Sequence, residues 1–332
     1  MTPLPYCFFL TQVVCLADDE ALLKALYSCD HQCKDTWKLF KEPQAALAAL
    51  NSSDKPKILF DRILQDHGTF LDCNSIGYLY EEIYNPERFQ TISCVLVDEK
   101  VQGINGLEIC RQITDPNIQK IFLTSSLEAE TVIAAFNQGW IDYYLPKTSP
   151  DFSSHLHQLI NRAQHRYFEA LTANHMISLL KQAVSDSHDS SPLNEPCFRD
   201  YLKFLLESPS IHEYYPLDLM GSFLLINTHG QASALLAFTD SSLARHMLDG
   251  AELIQAEPHL WKKIGGNSLP SAFCIPSLYH PIFQDLKPFL VPVYPQEFGQ
   301  QHYNLALISQ IGNCNPFSER LGSSSLTRKE SK

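Results

Sequence analysis

Residues 92–113, ISCVLVDEKVQGINGLEICRQI, constrain the fold of this chain more than any other stretch. The run from Ile92 to Val97 is apolar without alternation, the pattern of a strand buried on both faces of a parallel sheet. It delivers Asp98 to its C-terminal end. A short loop closed by Asn105-Gly106 follows, and from Leu107 the apolar residues recur at helical spacing. A buried strand that passes through a short loop into an amphipathic helix is one unit of an α/β sheet covered on both faces. In such sheets ligands and chemistry gather at the carboxyl ends of the strands. A carboxylate there can bind a metal, act as a base or attack as a nucleophile. It can equally do no more than end the strand or cap the next helix.

The rest of the chain repeats the unit. TQVVCLADDE reads as a strand ending in Asp18, Asp19 and Glu20, followed by a leucine-rich helix, and TWKLFKEPQAALAAL as a strand, a turn and an alanine-rich helix. IFLTSS predicts a strand ending in Thr124 and Ser125, and LEAETVIAAFNQG a helix stopped by Gly139. IDYYLPK predicts a strand ending at Lys147, and a long helical pattern runs from Asp151 to Val184. Residues 51–90 carry helical periodicity around a turn near His67-Gly68, which predicts a helical hairpin inserted before the Asp98 strand. The polar stretch 185–196 marks a boundary. Beyond it, YLKFLLES predicts a helix, GSFLLINTHGQASALLAF a hairpin turning at 227–230, and HYNLALISQI a last strand. The expected organisation is a five-stranded parallel, doubly wound domain over 1–165 with the insertion at 51–90. A helical linker over 166–192, a smaller α+β domain over 193–320 and a disordered tail over 321–332 complete it.

Composition narrows the function classes. The 332 residues carry a formal net charge of -12 and no basic stripe, which disfavours direct binding to DNA. Ten cysteines without a C-x-x-C pair, several inside apolar strands, fit reduced thiols of a cytoplasmic protein. The Cys/His cluster at residues 29–33 matches no common zinc spacing. No apolar run reaches the roughly 18 residues of a spanning helix, so a soluble protein without a membrane segment is expected.

Acids, an aspartate, a hydroxyl and an ammonium thus stand at separate strand ends that a doubly wound sheet brings to one edge. In these motifs, CLADDE, VLVDEKVQGINGLE, FLTSS and YLPK, the sequence resembles the receiver domain of bacterial two-component response regulators over residues 11 to 165. The resemblance implies a flavodoxin-like fold and a phosphoacceptor role for Asp98. It implies Mg²⁺ held by Asp18, Asp19, Asp98 and the main-chain carbonyl of Lys100. Lys147 and Thr124 would contact the phosphoryl oxygens, and Tyr144 would be the aromatic that changes rotamer on switching. Asp61 is a rival for the acidic-pair assignment. The implied partners are a sensor histidine kinase or phosphotransfer protein, with a homodimer through the C-terminal face of the receiver. The chain departs from the family at Val101-Gln102, where Met-Pro is usual, at Thr148, where proline is usual, and in the long gap between Asp19 and Asp98.

The C-terminal region resembles output regions of proteobacterial response regulators that lack a DNA-binding motif, and its hairpin has the look of a PAS-type sensory element. The expected function is a self-phosphorylating switch rather than a turnover enzyme. Two alternatives stand beside it: a pseudo-receiver scaffold that has lost Mg²⁺, and an output domain acting on nucleotides. Against the second, the C-terminal half offers no glycine-rich phosphate loop and no catalytic triad signature.

Overall fold

Strand β1 (Gln12–Leu16) lies between β2 (Trp37–Phe40) and β3 (Ile92–Asp98), all parallel. In this computed structural model the described residues are 7–19, 37–52, 86–125, 129–186, 193, 195–217, 221–244, 271–274, 289–299 and 301–313. The expected helical insertion falls, over 53–85, outside them, as do Asp61, residues 29–33 and the 321–332 tail. Helix α1 (Pro43–Leu50) starts on a proline at its first turn, where no hydrogen bond is lost. After β3 come two short strands, β4 (Lys100–Val101) and β5 (Ile104–Asn105), paired antiparallel. Helix α2 (Gly106–Arg111) follows at once, its first turn capped by the Asn105 side chain, which accepts from Leu107 N. Then come β6 (Gln119–Thr124), α3 (Ala129–Asn137), β7 (Tyr143–Pro146) and the 35-residue α4 (Phe152–Asp186).

The sheet order is β2-β1-β3-β6-β7 with every neighbour parallel. This is a flavodoxin-like doubly wound sheet, whose order reverses between β1 and β3. Its strands alternate strictly between two apolar layers. Val14, Leu16, Val95, Val97 and Phe122 face α1, α2 and α3, while Val13, Cys15, Cys94, Leu96, Ile121 and Leu123 face Leu156, Ile160 and Ala163 of α4. Cys7, Cys15, Cys94, Cys110 and Cys197 are free thiols, and burial pushes the Cys15 and Cys110 thiols up to about 12, so both stay protonated.

The second unit opens with α5 (Pro196–Leu206) and β8 (Ile211–Pro216), then the hairpin β9 (Phe223–Asn227) and β10 (Gln231–Phe238). A separate antiparallel ribbon joins β11 (Ser271–Cys274) to β12 (Phe289–Pro292). The strands β13 (Tyr294–Phe298) and β14 (Gln301–Asn313) complete a five-stranded antiparallel sheet ordered β13-β14-β10-β9-β8. Phe198 of α5 packs on its face against Phe298 and Tyr303, with ring centroids 5.1 and 5.6 Å away.

The units share one joint. Residues preceding β1 pair with the outer edge of β8: Phe8 N donates to Tyr214 O at 3.0 Å and Tyr214 N to Phe8 O at 2.9 Å. Phe8 stacks on His165 of α4 at 4.3 Å, and Phe9 meets Phe168 at 4.8 Å and Tyr215 at 6.1 Å. Beneath the rings, Arg88 donates to Glu213 at 3.1 Å, their side chains 1% and 3% exposed, and Tyr215 Oη donates to the same carboxylate at 2.7 Å. Among the described residues no helix is long and apolar enough to cross a membrane.

Candidate functional site

The site is assembled at the carboxyl edge of the parallel sheet, around its reversal point. Asp98, 4% exposed, is the last residue of β3, still paired in register with Leu123 of β6, and stands at the carboxyl edge of the sheet. The Lys147 ammonium reaches it from just past β7 and lies 2.7 Å from Oδ2; Glu99 N donates to Oδ1, also at 2.7 Å. Lys147 is held there by its own backbone, since Lys147 N donates to Thr124 O at 2.8 Å, which ties the ends of β7 and β6. Asp19, beyond the end of β1, brings Oδ2 to 3.7 Å from the same ammonium. One cation thus serves two carboxylates from different strands. After burial itself, the Asp98 charge is the next cause that raises the Cys15 thiol, which lies below the site in β1.

Gly106 sets how closely α2 approaches. Its N donates to Glu99 O at 2.9 Å, and a Cβ at this position would collide with the Asp98 carbonyl oxygen. Between β4 and β5 the chain reverses through Gln102 (φ 52) and Gly103 (φ 80), both left-handed, as a two-residue type I′ turn requires. A left-handed non-glycine costs roughly 1–2 kcal/mol. Gln102 N donates to Asp18 Oδ2 at 3.0 Å, which offsets part of that cost and ties the loop to the end of β1. The Val101-Gln102 departure therefore makes a small ribbon that engages Asp18.

At the end of β6, Thr124 Oγ1 donates to Glu99 Oε2 at 2.9 Å and Ser125 N donates to the same oxygen at 2.8 Å. On the neighbouring strand the Tyr144 side chain lies 52% exposed.

With this geometry the chain can be compared as a whole. It matches the response regulator LqsR of Legionella pneumophila at a TM-score of 0.64 and 25% identity, over 98% of this chain and 98% of that one. The chain has the build of a receiver-domain response regulator. A CheY-like receiver domain from Methanospirillum hungatei matches at 15% identity and a TM-score of 0.29, over 48% of this chain and 98% of that one. The receiver domain of an HD-domain protein from Pseudomonas fluorescens matches at 14% identity and a TM-score of 0.32, over 48% and 97%. No family model and no curated protein matches the chain.

Of the expected site residues, Asp98 and Asp19 each approach Lys147, Thr124 stands at the adjacent strand end, and Asp18 faces the loop rather than the ammonium. Lys100 is exposed at the start of β4. Among the described residues no group of three or more His, Cys, Asp and Glu side chains forms a metal cage. Mg²⁺ does not require one, since it keeps several waters and takes one or two carboxylates together with phosphate oxygens. Asp19 and Asp98 share the space around one ammonium, so two hard oxygen donors are in reach, and the donor set suits the ion.

Sequence reasoning passed over two participants, Glu99 and Gln102. Glu99 carried one usable signal, a second acid directly after Asp98 in a chain whose next strand ends in adjacent hydroxyl residues. Gln102-Gly103 carried the signal of a tight hairpin turn.

Proposed function

We propose that the protein is a phosphorylation switch in which Asp98 accepts a phosphoryl group from the phosphohistidine of a sensor kinase or phosphotransfer protein. The observation that carries this reading is the 2.7 Å contact of Lys147 with Asp98, at the strand edge that also presents the Thr124 hydroxyl. An Asp98 carboxylate oxygen forms a bond to phosphorus as the phosphorus–nitrogen bond breaks, and the electron pair returns to the imidazole. The Asp98 side chain becomes an acyl phosphate. Lys147 supplies fixed positive charge beside the incoming oxygens, which is most of what a protein contributes to phosphoryl transfer. Mg²⁺, held by Asp19, Asp98 and the Lys100 carbonyl with Asp18 beside them, would supply charge neutralisation at the transferring oxygens. Thr124 donates to a phosphoryl oxygen once the group is in place.

The output is a change of contacts rather than turnover or DNA binding. Ile133, Phe136 and Tyr144, 56%, 53% and 52% exposed on α3 and β7, form the surface by which the phosphorylated state meets a second copy. The regulator is expected to work in the cytoplasm, where its kinase partners present phosphohistidine.

The test is uptake of phosphate from acetyl phosphate with Mg²⁺, followed on a phosphate-affinity gel. Wild type gives a retarded band that Asp98→Asn lacks, and sedimentation with beryllofluoride shows the heavier species. Absence of any Asp98-dependent band leaves the pseudo-receiver scaffold as the reading.

A further inference from the structure

Glu99 directly follows Asp98, yet its carboxylate serves another strand. Because Glu99 N turns back to donate to Asp98 Oδ1 at 2.7 Å, the chain bends at this peptide and the Glu99 side chain reaches the end of β6. There a single oxygen, Oε2, receives the Thr124 hydroxyl at 2.9 Å and the Ser125 amide at 2.8 Å. Two converging donors on adjacent residues form a small anion cradle, and charge-assisted bonds of this kind are the stronger class. They stand at the end of β6, the strand paired with β3 beside Asp98, where a phosphoryl group on Asp98 would find donors besides Lys147.

We infer that Glu99 is a resident anion in the phosphoryl-sensing cradle, a positioning residue that must vacate Thr124 and Ser125 before a phosphoryl group on Asp98 can take them. This rests on Asp98 being the phosphoacceptor. A phosphoryl group brings close to two negative charges and three acceptor oxygens. The Glu99 carboxylate and that group cannot both accept from the same hydroxyl proton. Like charges one residue apart also repel, so the incoming group drives the carboxylate out. Two consequences follow. In the resting protein the β6 end is already ordered by an anion, so ordering that segment is not by itself the signal. The signal is exchange of one anion for another, with Glu99 expelled from the end of β6 toward solvent. The regulator is thereby set against activation, because each phosphorylation has to break two existing hydrogen bonds.

The experiment uses full-length wild type, Glu99→Ala, Glu99→Gln and Asp98→Asn, with beryllofluoride as the phosphoryl mimic. Glu99→Ala binds beryllofluoride at least about fivefold more tightly than wild type, the lower end of ordinary coupling between two occupants of linked sites. Glu99→Gln, which keeps an acceptor oxygen without the charge, falls between them. Amide hydrogen exchange at Ser125 provides a reading independent of the mimic: in the resting state it is faster in Glu99→Ala than in wild type, and bound beryllofluoride slows it again. Equal or weaker mimic affinity in folded Glu99→Ala, or unchanged Ser125 exchange, overturns the inference and leaves Asp98 as acceptor untouched. Failure of wild type to bind the mimic at all, with the same result for Asp98→Asn, overturns the acceptor reading and this inference with it.

Discussion

The Lys147 ammonium lies 2.7 Å from Asp98 Oδ2 and 3.7 Å from Asp19 Oδ2, while the Asp98 side chain is only 5% exposed and that of Lys147 20%. Asp98 is thus a nearly buried charge whose nearest described cation is this one. Lys147→Met should destabilise the fold, because removing one partner of a buried pair leaves the other charge unpaired. Fully buried pairs lose about 3–5 kcal/mol in this way, and access of solvent to Lys147 puts the expected loss at or below the lower figure. Asp98→Asn combined with Lys147→Met should recover most of it. Urea denaturation of both single variants and the double variant closes the cycle, and strict additivity would mean that the two side chains do not support each other.

Gly106 holds the start of α2 against the Asp98 carbonyl. In Gly106→Ala the new methyl would meet that oxygen and stand 3.1 Å from the Phe122 ring, so either the helix or the strand end must shift. Overpacking of this kind costs about 1–3 kcal/mol. The displaced strand end should also weaken beryllofluoride binding. A Gly106→Ala protein with wild-type stability and affinity would show that the approach of α2 is not what fixes Asp98.

How far the sequence reveals this molecule follows from how each part is stabilised. Strands β1, β3 and β6 are buried on both faces, and their near-continuous apolar runs announce parallel strands. Asp98, Thr124 and Lys147 were legible because each stands at the end of such a run. Glu99 was not, because nothing in local spacing says which strand end an acid will serve. Nor was β8, whose IHEYYP carries a glutamate at a position that is 2% exposed. That burial is made tolerable by Arg88, contributed from far away in the chain, and the pairing exists only in the folded protein. Nothing in the spacing of residues 7–10 announces a partner, and the structure shows Phe8 pairing with Tyr214.

The buried Arg88–Glu213 pair ties the segment before β3 to β8 and should make the two units unfold together. Arg88→Leu leaves the Glu213 carboxylate buried with Tyr215 Oη still donating to it but no cation beside it, and the expected loss is about 3–5 kcal/mol. Arg88→Leu combined with Glu213→Gln should recover much of that loss, since an amide carries no charge to strand. Calorimetry distinguishes a structural pair from an incidental one. Wild type should melt in a single transition, and Arg88→Leu should melt earlier and in two steps as the receiver and the antiparallel sheet uncouple. One unshifted transition in Arg88→Leu would place the coupling in the aromatic joint alone.

The last prediction concerns pH. His165 is stacked under Phe8 at the joint, and burial, followed by the nearby positive charge of Lys203, lowers its pKa from 6.5 to about 4. The folded protein therefore holds this imidazole neutral where the unfolded chain would protonate it. Above pH 6.5 both states carry the neutral ring and His165 costs nothing. As pH falls below that value the unfolded state binds a proton the folded state refuses, so stability declines until the folded pKa near 4 is reached. The whole window is worth up to about 3 kcal/mol. Burial moves Asp142 and Glu169, in the same region, the other way: both have raised pKa values, so their protonation restores some stability at the acid end. The decline due to His165 should accordingly be cleanest between pH 6.5 and 5. Melting temperatures across that interval test it, with His165→Phe as the comparison, because phenylalanine keeps the stack on Phe8 and cannot titrate. Wild type should lose stability relative to His165→Phe as the pH drops. Parallel curves for the two proteins would mean that the imidazole is hydrated and free to protonate in the folded state.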